Sequence, residues 1–220
     1  MANPVSIAAS AVGNDLSTEN PSRLMITGLL DADQAMLDDE LLRAMQEYDE
    51  EWYDRWTDDE PVEQVQVIKL CLEAGANPNA ITNVRAGLSG TALHYAASIG
   101  ASVDLVELLL DHAANVNCDE AAAHWIQLKK PATETKITPL HCAVASFFGV
   151  REGQILQIVQ LLILNGANVN ARTGGGKTPL HVACASGFTS VVEFLLGQDA
   201  DIESRDNNGW TPIFYAAHAS

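Results

Sequence analysis

Three groups of residues in this chain have types and spacings that could do chemistry. Gly174-Gly175-Gly176-Lys177-Thr178 reads like the end of a loop that cradles phosphate with backbone N–H groups and a lysine. That loop needs Gly-x4-Gly-Lys-Thr after a buried strand, and the position five before Gly176 is Ala171. His94, His141 and His181, with Cys142 and Cys184 close by, offer nitrogen and sulfur ligands of the kind zinc takes. The same histidines stand near Ser89, Ser98, Ser146 and Ser186, yet no Gly-x-Ser-x-Gly elbow accompanies them. The third group is carboxylate: residues 1–60 carry 15 Asp and Glu against Arg23, Arg43 and Arg55. A run of that kind is ordinarily a solvated face. No catalytic residue, cofactor site or metal site is expected from these patterns.

The histidines share a local phrase, and the phrase repeats. Thr138-Pro139-Leu140-His141 and Thr178-Pro179-Leu180-His181 are identical. Thr91-Ala92-Leu93-His94 differs at one position and Thr211-Pro212-Ile213-Phe214 at two. An apolar stripe follows each complete copy. A turn comes next: Ala114-Asn115-Val116-Asn117, Ala167-Asn168-Val169-Asn170 or Ala200-Asp201-Ile202-Glu203. Thr178 and Thr211 are 33 residues apart, as are Gly166 and Asp199. A fixed period of this length marks a solenoid.

The unit follows from elementary preferences. A threonine hydroxyl suits a helix N-cap, and proline at the first helical position gives up an N–H that has no partner there. Leu180, Ala183 and Cys184 share one face of a short helix, and Gly187 offers a left-handed stop. Val191, Val192, Leu195 and Leu196 form the stripe of a second helix. One helix pair cannot cover its own stripe, so neighbours must stack. Leu180→Ala is expected to cost about 2–4 kcal/mol through the cavity it leaves. Lys177, taken as a surface side chain, is expected to cost less than about 0.5 kcal/mol on truncation.

The Thr-Pro-Leu-His phrase, the Leu-Leu pair and the Gly-Ala-Asn-Val-Asn turn together resemble the ankyrin repeat, over roughly the last two thirds of the chain. The resemblance implies an all-α solenoid of stacked helix-turn-helix units joined by β-hairpin-like loops. Residues 1–30 are expected to be mostly disordered, with 31–220 as the repeat domain. Its parts are a divergent acidic first repeat with an insertion at 31–79, repeats at 88–117, 136–170 and 176–203, and a partial fifth at 209–220. Relative to the regular spacing, the loops before Thr91 and Thr138 carry four and 13 extra residues. The stretch from Leu41 to Val67 carries 15, including Tyr48, Trp52, Tyr53 and Trp56. The chain stops inside a first helix, as expected of part of a longer protein.

By the same resemblance, His94, His141 and His181 bond locally to hairpin and helix backbone. Asn117 and Asn170 occupy positions that an asparaginyl hydroxylase modifies in some animal ankyrin proteins; turn formation alone also accounts for asparagine there. Binding is expected through hairpin tips and first helices, with Trp125, Arg172, Lys177, Arg205, Asp206, Asn208 and Trp210 as the contact residues. Trp125, in the longest loop, and Trp210, at a position the family usually leaves exposed, are the expected anchors. The net charge of −17 argues against nucleic acid and anionic membrane, and for a protein with a basic surface. Four cysteines without framework spacing, and no basic-plus-apolar leader, give an intracellular expectation, cytoplasmic or nuclear. A monomer is expected, with self-association through the incomplete last repeat as the other route. The functional expectation is a non-enzymatic interaction module. Its alternative is the targeting part of a larger enzyme or effector.

Overall fold

Each Thr-x-Leu-His phrase starts a helix, and the histidine takes part in the start. In the computed structural model the threonine at 91, 138 and 178 is an extended N-cap. His94, His141 and His181 sit three residues on, at the position where a capping box normally carries glutamate or glutamine. The structure describes residues 33–55, 62–85, 88–100, 102–119, 121–123, 134–145 and 151–218. The expected disorder of 1–30 and the loop around Trp125 lie outside these residues.

Two rows of helices result. The first row is α1 (Gln34–Arg55), α3 (Ala92–Ile99), α5 (Pro139–Val144), α7 (Pro179–Ser186) and α9 (Pro212–His218). The second row is α2 (Val62–Glu73), α4 (Val103–Asp111), α6 (Glu152–Leu164) and α8 (Thr189–Gly197). Each helix packs against its predecessor and successor in its own row, and one continuous core runs from Leu37 to Ala200. Leu41, Leu93, Leu140 and Leu180 bring it through the first row. Leu105, Leu109, Ile155, Leu162, Val191 and Leu195 bring it through the second. The array is therefore a helical solenoid, as the period requires.

Two differences from the expected layout have plain causes. Most of the extra residues between Leu41 and Val67 extend α1, which runs 22 residues through Arg55. The two lengthened loops also form more than hairpin-like turns. β1 (Thr82–Arg85), β2 (Leu88–Gly90), β3 (Ala121–Ala123) and β4 (Glu134–Ile137) make a four-stranded antiparallel sheet in sequence order. Added length lets each hairpin extend until it meets its neighbour, and Leu88 and Ser89 pair with Ala123 and Ala122 across that junction. The loops of regular length, 171–177 and 204–210, contain no strand.

Candidate binding surface

Both ring nitrogens of each repeat histidine are engaged. In the regular repeat His181 Nδ1 lies 3.1 Å from the Thr178 backbone N and 2.9 Å from its hydroxyl, and Nε2 lies 3.0 Å from Trp210 O. A backbone N–H can only donate, so Nδ1 accepts and Nε2 carries the proton given to the carbonyl. His94 repeats the pattern toward Cys118 O and Ile137 O, and His141 toward Lys177 O. Every ring thus ties a helix start to the loop that leads to the next repeat. Burial holds His94 and His181 below the ordinary histidine range, only partly offset by the carbonyls they meet. A neutral ring is what the two opposite roles require.

The turn asparagines form a second chain of bonds along the array. Asn79 Nδ2 donates to Ala113 O at 3.0 Å, while its Oδ1 accepts from Asn115 N at 2.7 Å. Asn117 does the same to Gly166 O and Asn168 N, and Asn170 to Asp199 O and Asp201 N. At the start of the array no preceding asparagine exists. Two side chains of α1 stand in for it, one as donor and one as acceptor. Gln34 Nε2 donates to Gly75 O at 2.9 Å, and Asp38 accepts from Asn77 N at 2.7 Å. The long first helix therefore closes the N-terminal end. Sequence reading missed Gln34 and Asp38, because their role is visible only once α1 is laid over the turn at residues 75–77.

The glycine run has a structural use in place of phosphate binding. A Cβ at Gly174 would collide with Thr135 Oγ1, and one at Gly176 would lie 2.5 Å from Asn207 Oδ1. The backbone needs that closeness, since Gly174 N donates to Thr135 O and Asn207 donates to Gly175 O and Gly174 O. Neighbouring hairpins are stitched through the glycines.

The expected contact residues separate into two groups. Arg172, Arg205, Asn208 and Trp210 are exposed on the last two hairpins. Arg172 Nη2 donates to Arg205 O, and Arg205 Nη1 to Gly209 O at 3.0 Å, which holds both guanidinium groups against the hairpins. Lys177 and Asp206 are not available as expected. Lys177 is buried, because the residue before the repeat threonine is covered by the next repeat; its counterparts Gly90 and Ile137 are buried too. The surface role expected for it is corrected accordingly, and so is the idea that Trp210 occupies a site exposed in every repeat. Asp206 is buried and organises the last loop: it accepts from Asn208 N, Trp210 N and the Tyr215 hydroxyl at 2.9, 2.8 and 2.7 Å. Burial alone would raise its carboxyl, but the bonds from Tyr215, Trp210 and Asn208 hold it below the usual carboxylate range. Trp210 packs at 4.4 Å on Phe214, whose other neighbour is His218 at 4.1 Å. Trp125 lies outside the described residues.

Among the described residues no group of three or more His, Cys, Asp or Glu side chains comes together as a metal site. Burial pushes the Cys71 thiol up to about 12 and raises those of Cys142 and Cys184, so at neutral pH these sulfurs are protonated. No helix among the described residues is long and apolar enough to cross a membrane.

Paired helices in a 33-residue period, histidine-capped and joined by an asparagine chain, define a repeat scaffold. Residues 62–152 and 146–220 match the model of ankyrin repeats (3 copies), and the chain belongs to that family. It is 30% identical over 164 residues to the ankyrin repeat protein FPV230 of Fowlpox virus (strain NVSL), covering 68% of this chain and 84% of that one. It is 37% identical over 138 residues to the Neurogenic locus Notch protein of Drosophila melanogaster, covering 62% of this chain and 4% of that one. With protein phosphatase 1 regulatory subunit 27 of Mus musculus it shares 30% identity over 109 residues, 48% of this chain and 66% of the relative.

Proposed function

We propose that this chain is a non-enzymatic, intracellular interaction module that holds a basic segment of another protein along its hairpin tips and first helices. The observation that carries this reading is the full engagement of the repeat histidines by backbone: the groups best able to do chemistry are used to build the scaffold. Acidic charge supplies attraction, most of it in residues 1–60. Arg172, Arg205, Asn208 and Trp210 frame the tips at the C-terminal end, and Trp125 belongs to the same contact set. Regulatory subunits among the relatives, of protein phosphatase 1 and, in Saccharomyces cerevisiae, of the 26S proteasome, support a binding role. A second reading, the targeting part of a larger protein, is favoured by the Notch match, in which the shared stretch is 4% of the relative.

The test is affinity capture on the immobilised chain at 50 and 300 mM salt, compared with a variant carrying Asp39→Asn and Glu47→Gln. Unlike-charge steering predicts association that slows as salt rises and weakens in the variant. Partners without basic segments, captured equally at both salt concentrations and by both proteins, would refute the basic-segment reading.

A further inference from the structure

The last repeat exposes what every earlier repeat covers. Ile213 of α9 is 72% exposed, whereas its counterparts Leu93, Leu140 and Leu180 are 0, 0 and 1% exposed. Ala216 is exposed where Ala96, Ala143 and Ala183 are fully buried. Trp210 stands bare at the position buried as Ile137 and Lys177, and Leu196 and Ile202 are likewise more exposed than their counterparts. These five residues share one cause: each is a surface on which the following repeat would pack. Together they form a terminal apolar face at the open end of the array.

The rim of this face states what fits it. Glu203 holds the place of Asn79, Asn117 and Asn170, the residues that give one hydrogen bond to the next repeat and take one from it. A carboxylate can accept but has nothing to donate, so another unit of the same kind would set a backbone carbonyl against it. A cationic side chain satisfies it instead. Asp199 lies in the same turn, and among the described residues neither carboxylate has a Lys or Arg within ion-pair distance. A second copy is disfavoured, because it would bring a net charge of −17 against −17 and one acidic rim against another.

We propose that this terminal face docks an amphipathic helix of a partner protein. The helix lays its apolar stripe on Leu196, Trp210, Ile213 and Ala216, and turns Lys or Arg toward Asp199 and Glu203. The contact is of the helix-on-apolar-surface kind, read at i, i+3, i+4 and i+7. It rests on the reading of the chain as an interaction module and is separate from the hairpin and first-helix surface.

A fluorescent 16-residue peptide of leucine and lysine with helical amphipathic period is the probe, and the same composition scrambled to remove the period is its control. Anisotropy titration is expected to show binding of the periodic peptide at least about tenfold tighter than the scrambled one. Ile213→Asp and, separately, Glu203→Lys should each weaken it about tenfold, while Asp39→Asn with Glu47→Gln leaves it unchanged. Both end-face substitutions are at exposed positions, and thermal melts check that each variant is folded. Equal binding of the two peptides, or no effect of either end-face variant, overturns the proposal. A wild-type dimer in sedimentation velocity that Ile213→Asp dissociates assigns the face to a second copy and overturns it too. Loss of peptide binding only in the Asp39→Asn, Glu47→Gln protein would place the helix on the first-helix surface. In that outcome the terminal-face proposal fails and the module reading stands.

Discussion

Removing one asparagine from the chain of turn bonds should loosen two repeats from each other without unfolding either. Asn117 is the link between the second and third complete turns. Its amide gives 2.8 Å to Gly166 O and receives 2.8 Å from Asn168 N. Asn117→Ala deletes both bonds. At an exposed site water replaces part of what is lost, so about 0.5–1.5 kcal/mol per bond sets the scale and about 1–3 kcal/mol the total. Asn117→Asp keeps the acceptor, loses the donor and faces a carbonyl with charge, so it should fall at or beyond the alanine value at pH 7. Asn168 is the contrast, because its side chain accepts from Asn170 N within its own turn. Urea unfolding followed by circular dichroism reads the difference. Asn117→Ala should lower the midpoint and reduce the apparent m-value as the halves uncouple, whereas Asn168→Ala should lower the midpoint with m retained. In a chain of this size 1 kcal/mol is about 2–4 °C in melting temperature. An Asn117→Ala protein within about 0.3 kcal/mol of wild type, at unchanged m, would refute the idea that these amides couple the repeats.

Acid should destabilise the array in a window set by its histidines. His94 and His181 are lowered by burial, so the folded state binds fewer protons than the unfolded one; stability is complete above the unfolded value near 6.5 and falls as pH drops below it. Each contributes up to about 1.4 kcal/mol per pH unit there, and His181→Gln should flatten the slope of urea midpoints taken from pH 7.5 to 5.5. Leu180→Ala, at a position 1% exposed between α5 and α9, should cost about 2–4 kcal/mol in the same assay. Ala113 and Asp199 hold left-handed φ values of 63° and 61° where Gly75 and Gly166 serve elsewhere. Asp199→Gly and Ala113→Gly should therefore each raise stability by about 0.5–1 kcal/mol in thermal melts, and a loss in both would refute the strain assigned to them.

The periodic part of this structure was legible because its signals are local. Thr178 as a helix cap, Gly187 at φ 74° ending α7 and the stripe of α8 are each decided within a dozen residues. The histidine roles came from the family resemblance, and the bonds of His181 to Thr178 and Trp210 O agree with them. What failed depended on neighbours 30 or more residues away. Lys177 looks like a surface lysine because a lysine in a polar loop usually is one, but the next repeat covers that position. Asp206 has the composition of a hairpin tip and is instead drawn under it by the Tyr215 hydroxyl. The Gly174–Thr135 approach is set by an adjacent hairpin whose length varies, and no regularity of period encodes it.

The lengthened hairpins also divide the molecule mechanically. From Thr82 to Ile137 the loops are joined by strand pairing across three successive ladders, a seam that resists sliding because its bonds load together. Beyond it, adjoining loops are held by separate bonds, Gly174 N to Thr135 O and Asn207 to Gly175 O and Gly174 O. A pulling force applied at the two ends would load these few bonds one after another while the sheet stayed shut. The last two repeats would peel as a compliant tip from a stiff base, so the end that carries Trp210 is also the end that yields first under tension.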